Sequence, residues 1–186
     1  FSGVISQIPL NLYLRSEAAA AAKAARDIEA KFGNDAKRLV VLSSFYVRIE
    51  QGSEATRLAT QAVQLSPDLA EAHLGLGQAL RVSLRLDEAA AEYKRALELD
   101  PGSKVARRSL ADLSRAFGKS EDALALYRQE LEADPKDKNA RAGLVLSLLD
   151  LGRSDEAKAE LDKAIKDDPR NLTLLAGAAY WFVAHN

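Results

Sequence analysis

Four prolines set a ruler along this chain. Pro67, Pro101, Pro135 and Pro169 stand 34 residues apart at every step. Other columns keep the same step: Ala55, Ala89, Ala123 and Ala157; Leu42, Leu76, Leu110 and Leu144; Ala59, Tyr93, Tyr127 and Leu161; Ala62, Ala96, Glu130 and Ala164. Several columns in one register signal a stack of small units, none able to bury its apolar face alone. The units run 36–69, 70–103, 104–137 and 138–171. Residues 1–35 read as a capping segment plus the second helix of a partial unit, and 172–186 as the first helix of a truncated fifth.

The stretch from Ala70 to Pro101 shows what one unit is made of. His73, Leu76, Leu80 and Leu84 recur at helical spacing, as do Ala89, Ala90, Tyr93, Ala96 and Leu97. Asp87 and Glu88 put negative charge at the start of the second helix, where the dipole favours it. The spacing predicts helices near 36–50 and 53–65, with a turn at Gln51-Gly52, then 103–117, 120–133, 138–151 and 154–167. Gly118 and Gly152 end first helices, while Ser120 and Ser154 stand where N-caps are expected.

Before the first full unit, residues 16–32 predict an Ala-rich helix with Ser16 as N-cap and Gly33-Asn34 as its end. Residues 1–14 are apolar without clear period, and Pro9 argues for a short or irregular cap rather than one helix. Residues 171–184 read as the first helix of the fifth unit, ending in the aromatic run Tyr180, Trp181, Phe182. An apolar end of that kind is either covered by more chain or docks on a second copy, which makes Trp181 and Phe182 candidates for self-association.

With these residues in view, the chain resembles the tetratricopeptide repeat. The second unit carries the pattern in His73, Leu76, Gly77, Leu80, Ala89, Tyr93, Ala96 and Pro101. Glu130 departs from it at the last Ala, Ala59 at the aromatic, and Ser43, Ala111 and Val145 where Gly77 fits; these are expected to loosen packing locally. The resemblance implies an all-α, right-handed superhelical solenoid of antiparallel helix pairs, with the first helix of each pair lining a concave face that binds proteins. Carried onto this sequence, the concave positions include Lys37, Ser44, Arg48, Glu71, Gln78, Arg81, Arg108, Asp112, Arg115, Asn139, Leu146, Leu149 and Tyr180. Members that grip chaperone tails hold Lys and Asn at the fifth and ninth positions of one unit. Here those positions hold Val40 and Ser44, Leu74 and Gln78, Arg108 and Asp112, Ala142 and Leu146, so that clamp is not expected.

Chemistry other than binding finds little support. There is no cysteine, and the two histidines, His73 and His185, have no second ligand at metal spacing. His73 falls in a packing column. Gly75-Leu76-Gly77 lies within a helix, follows no strand and reads as close helix packing rather than a phosphate loop. Acidic pairs lie at helix ends, where capping explains them. No catalytic group, cofactor or metal is expected. A net charge of −1 gives no reason to expect nucleic acid, and no apolar run approaches the roughly 20 residues of a membrane span.

The expected partner is therefore a protein or peptide. Arg81, Arg108 and Arg115 suit carboxylates; Leu146, Leu149 and Tyr180 suit an apolar anchor. Against this stands the reading that the arginines are solvated groups pairing with Glu71 and Asp112. Two alternatives stay open: a recruiting or regulatory segment of a larger enzyme or envelope export machine, and a self-associating module. The chain starts at Phe1 and holds no methionine, as a trimmed piece of a longer protein would. Its Ala-rich composition leans bacterial, and both cytoplasmic and periplasmic or secreted settings are compatible with it.

Overall fold

The computed structural model describes residues 2–167 and residue 179. Among the described residues there are helices and no strands. The first helices of the pairs are α1 (Ser2–Leu14), α3 (Ala36–Arg48), α5 (Ala70–Val82), α7 (Lys104–Ala116) and α9 (Lys138–Asp150). The second helices are α2 (Ala18–Phe32), α4 (Gly52–Leu65), α6 (Leu86–Leu99), α8 (Ser120–Ala133) and α10 (Ser154–Asp167). Each first helix has 13 residues and starts 34 residues after the one before. The expected helices at 36–167 are present; the one at 171–184 lies, apart from residue 179, outside the described residues.

The helices group into two compact units, Phe1–Ser103 and Lys104–Asn186. In the first, α1 packs on α2 and α3, α3 on α4 and α5, and α5 on α4 and α6. Leu39, Leu42, Phe45, Leu58 and Tyr93 are buried there. In the second, α7 packs on α8, α8 on α9, and α9 on α10 and α7. Its core holds Leu124, Tyr127, Val145 and Leu148. Three of the repeating columns are what fills these cores: Ala55, Ala89, Ala123 and Ala157 are buried, as are Leu42, Leu76, Leu110 and Leu144, and Ala59, Tyr93 and Tyr127.

Residues 2–14 correct the expectation of a short or irregular cap. They form one helix with Pro9 inside it. Proline removes the N–H that would bond the carbonyl four residues back, at a cost of about 3 kcal/mol. Ile5 and Pro9 are both buried where α1 lies on its neighbours. Burying one Ile-sized side chain is worth about 1.5–3 kcal/mol, so packing of α1 offsets the proline.

A second correction concerns the turns inside the pairs. Ser16, Glu50, Leu84, Gly118 and Gly152 all have positive φ, at 62, 57, 59, 72 and 69°. They are 34 residues apart and form one column. In each, the amide that follows donates to a carbonyl five residues back: Glu17 to Leu12, Gln51 to Tyr46, Arg85 to Leu80, Lys119 to Ser114, Arg153 to Leu148, all at 2.8–2.9 Å. With the companion bond from the left-handed residue itself, for example Leu84 to Arg81 at 3.1 Å, this is the Schellman closure of a helix C-terminus. Ser16 thus ends α1 and does not cap α2. The turn expected at Gln51-Gly52 sits one residue earlier, since Gly52 is already the first residue of α4. Leu84 lies in the turn at 82% exposure rather than in the apolar stripe of α5.

The expected serine caps are also corrected. Ser120 and Ser154 are the first residues of α8 and α10. Residues Glu17, Gln51, Arg85 and Lys119, at the N-cap positions of α2, α4, α6 and α8, make no side-chain cap bond. At the starts of α6 and α10 an arginine reaches forward to a glutamate of the first turn: Arg85 to Glu88 (two bonds of 2.7 Å) and Arg153 to Glu156 (2.7 and 2.8 Å). Two first helices, α3 and α9, have side-chain caps. Asp35 accepts from the Arg38 amide at 3.1 Å, and Asp137 from the Asn139 and Ala140 amides at 2.9 Å.

Departures from the repeat pattern do not loosen the packing. Ser43 is buried and its hydroxyl donates to the Ala55 carbonyl at 2.9 Å. Ala111 and Val145 are buried as well. Glu130 is 1% exposed and pairs with Arg107 at 2.6 Å. Gly75 and Gly77 serve close packing, as expected. A Cβ on Gly75 would lie 3.1 Å from Val40, and one on Gly77 would lie 2.6 Å from the Tyr93 ring.

Candidate functional site

The first helices carry the expected binding positions, and each unit presents its own set. In the first unit these lie on α3 and α5. Lys37, Arg48, Glu71 and Arg81 are exposed; Ser44 and Gln78 are half-buried. Between them, Val40, Val47, Leu74 and Val82 are half-buried and supply an apolar floor. Gly75 lets α5 approach Val40 of α3, so the two helices form one continuous strip. Ser44 turns its hydroxyl back to the Val41 carbonyl at 2.6 Å, which removes its donor from that strip. Among the described residues, Lys37, Arg48 and Arg81 have no ion-pair partner.

The second unit is arranged differently. Arg108 pairs with Asp137, the cap of α9, and Arg115 pairs with Asp150 at 3.2 Å, at the other end of α9. Two ion pairs therefore fasten α7 to both ends of α9. Asp112, between the two arginines, accepts a hydrogen bond from the Tyr127 hydroxyl. Burial, and then the bond to Asp112, push the Tyr127 hydroxyl well above the usual tyrosine range. The partners of Arg108 and Arg115 are thus Asp137 and Asp150, in place of the expected Glu71 and Asp112. On α9, Asn139 is exposed and Leu146 half-buried. Leu149 corrects the expectation of an apolar anchor: it is 3% exposed and part of the core. Tyr180, Trp181 and Phe182 lie outside the described residues.

His73 is held on both sides. Its Nε2 lies 2.8 Å from the Pro67 carbonyl and its Nδ1 lies 2.7 Å from Glu92. It ties α5 to α6 and to the preceding turn, as a packing residue does. Among the described residues no group of three or more metal-ligating side chains exists, and no helix is long and apolar enough to cross a membrane.

Comparison with known proteins agrees with this geometry. Two sequence models, both described as tetratricopeptide repeat, match residues 46–104 and 114–179. No curated protein matches by sequence. Among solved structures, MamA is similar with a TM-score of 0.74 at 21% identity, over 91% of this chain and 92% of that one. YrrB, described as a TPR protein with an unusual peptide-binding site, gives 0.71 at 19% identity, over 87% and 83%. TTC0263, a thermophilic TPR protein of Thermus thermophilus, gives 0.70 at 20% identity, over 98% and 100%.

Proposed function

We propose, from the premise that this chain belongs to the tetratricopeptide-repeat family, that its first unit binds an acidic stretch of a partner protein along α3 and α5. The family supports a protein-interaction scaffold in general. The finer reading rests on one observation: Lys37, Arg48 and Arg81 are exposed cations with no ion-pair partner among the described residues. Arg108 and Arg115 are already engaged by Asp137 and Asp150. A carboxylate arriving at the second unit meets arginines whose charge an internal carboxylate already balances; at the first unit it displaces only water. The acid-binding role therefore moves from the expected trio to Arg48, Arg81 and Lys37. Val40, Val47 and Leu74 supply apolar contact beneath them, and Glu71 disfavours acidic residues at the start of α5. In the second unit, Leu146 and Asn139 are the contacts this reading leaves available.

Anisotropy of a fluorescein-labelled, glutamate-rich peptide tests it. Arg48→Glu with Arg81→Glu weakens binding by about 2–5 kcal/mol if the charges are desolvated on binding. Both side chains are exposed, so the fold is spared. A loss under about threefold would contradict the assignment.

A further inference from the structure

The first unit has a second feature, away from the first-helix strip, where the ruler breaks. At the turn from α2 to α3, Gly33 stands where the other units have Pro67, Pro101 and Pro135. Without the proline, α2 runs to Phe32, 15 residues against the 14 of every other second helix. Gly33 closes it with φ −60°, and the Gln61 side chain donates to the Gly33 carbonyl at 2.8 Å. Beside this turn lies an open cleft of about 630 Å³ between α2, α3 and α4. That volume is in the range of binding pockets.

Its charge is uneven. Arg26, Lys31 and Arg38 line it, with Glu29 and Asp35 as the acids. Both Glu29 oxygens accept from Arg57, at 2.8 and 2.9 Å. Asp35 caps α3 and pairs with Arg38 at 3.1 Å. Arg26 and Lys31 have no ion-pair partner among the described residues. The Arg38 guanidinium lies over the Phe32 ring at 4.3 Å and the Lys31 ammonium at 5.4 Å. The ring holds two long cationic side chains in place, which lowers the entropy lost when they grip a ligand.

We propose that this cleft is a second docking site for an acidic peptide segment, with carboxylates received by Arg26 and Lys31 beside the Phe32–Arg38 stack. Charge complementarity names the occupant: the acids of the cleft are spent on internal partners, while two of its cations are not. A net charge of −1 gives no reason to favour nucleic acid as the occupant.

The test uses the Arg48→Glu, Arg81→Glu variant, so that the first-helix strip is disabled. A short glutamate-rich peptide is titrated while the Gln61 side-chain amide and the Phe32 amide are followed by NMR. Saturable shifts at both, reduced at least tenfold in apparent affinity by added Arg26→Glu and Lys31→Glu, support the site. Absence of saturable shifts there overturns it, whatever the first-helix strip does in the parent protein. Equal shifts from inorganic phosphate at matched charge also overturn it, by making the cleft a simple anion site. Arg26 and Lys31 are exposed, and an unchanged amide spectrum verifies that the variants fold.

Discussion

Leu84 has φ 59° and a side chain in solvent, so two opposing terms decide its cost. A left-handed conformation costs a residue with a Cβ about 1–2 kcal/mol. Glycine instead loses more freedom on folding, about 0.5–1 kcal/mol. Leu84→Gly therefore stabilises the protein by about 0.5–1 kcal/mol, and Gly152→Leu at the matching position destabilises it by a similar amount or more. Urea denaturation of both variants reads this out. Glu130 makes the opposite case, a charge inside a core column otherwise filled by Ala62, Ala96 and Ala164. Glu130→Ala removes the carboxylate that pairs with Arg107 in the interior and costs about 3 kcal/mol. Adding Arg107→Leu recovers most of that loss, because both charges then leave the interior together. If the double variant is no better than the single, the Arg107–Glu130 pair is not what holds that column.

At the scale of helices, close approach decides. Gly77 faces the Tyr93 ring so closely that Gly77→Ala is expected to cost about 1–3 kcal/mol by overpacking, measurable by thermal unfolding. Tyr127 reaches across to Asp112 and Tyr46 lies in its own buried setting. For both, burial first of all raises the hydroxyl above the ordinary value. The unfolded chain then releases these protons before the folded one does, so stability is fully present below pH about 10 and falls as pH rises above it. A fall in urea stability above that pH that is lessened in the Tyr46→Phe, Tyr127→Phe variant would bear this out; an identical pH profile in the variant would refute it. Helix positions were legible in the proline and alanine columns because periodic burial writes itself into sequence. The left-handed column was not, since only Gly118 and Gly152 of its five members announce it by residue type. Pro9 misled for a related reason: local preference said break, and packing on α2 and α3 overrode it.

For the whole chain, charge balance rather than charge excess governs binding. Most of its ion pairs are on the surface, worth about 0–1 kcal/mol each. Raising salt from about 0.1 to 1 M shortens the screening length from about 10 to 3 Å. The melting temperature should change little, while affinity for an acidic peptide should drop at least tenfold. The candidate site was half legible. Residue types at Arg48, Arg81, Arg108 and Arg115 gave the sign of the surface. That Asp137 and Asp150 would engage the last two, and that Leu149 would turn into the core, depended on contacts between helices that no spacing encodes. The central claim is where an acidic partner lands. An amide NMR shift map of the isotopically labelled chain, titrated with a glutamate-rich peptide, reads it directly. The largest saturable shifts are predicted on α3 and α5, around Val40, Ser44, Val47, Gln78 and Arg81. Saturable shifts confined to α6, or to α7 and α9, with α3 and α5 unmoved, would contradict it.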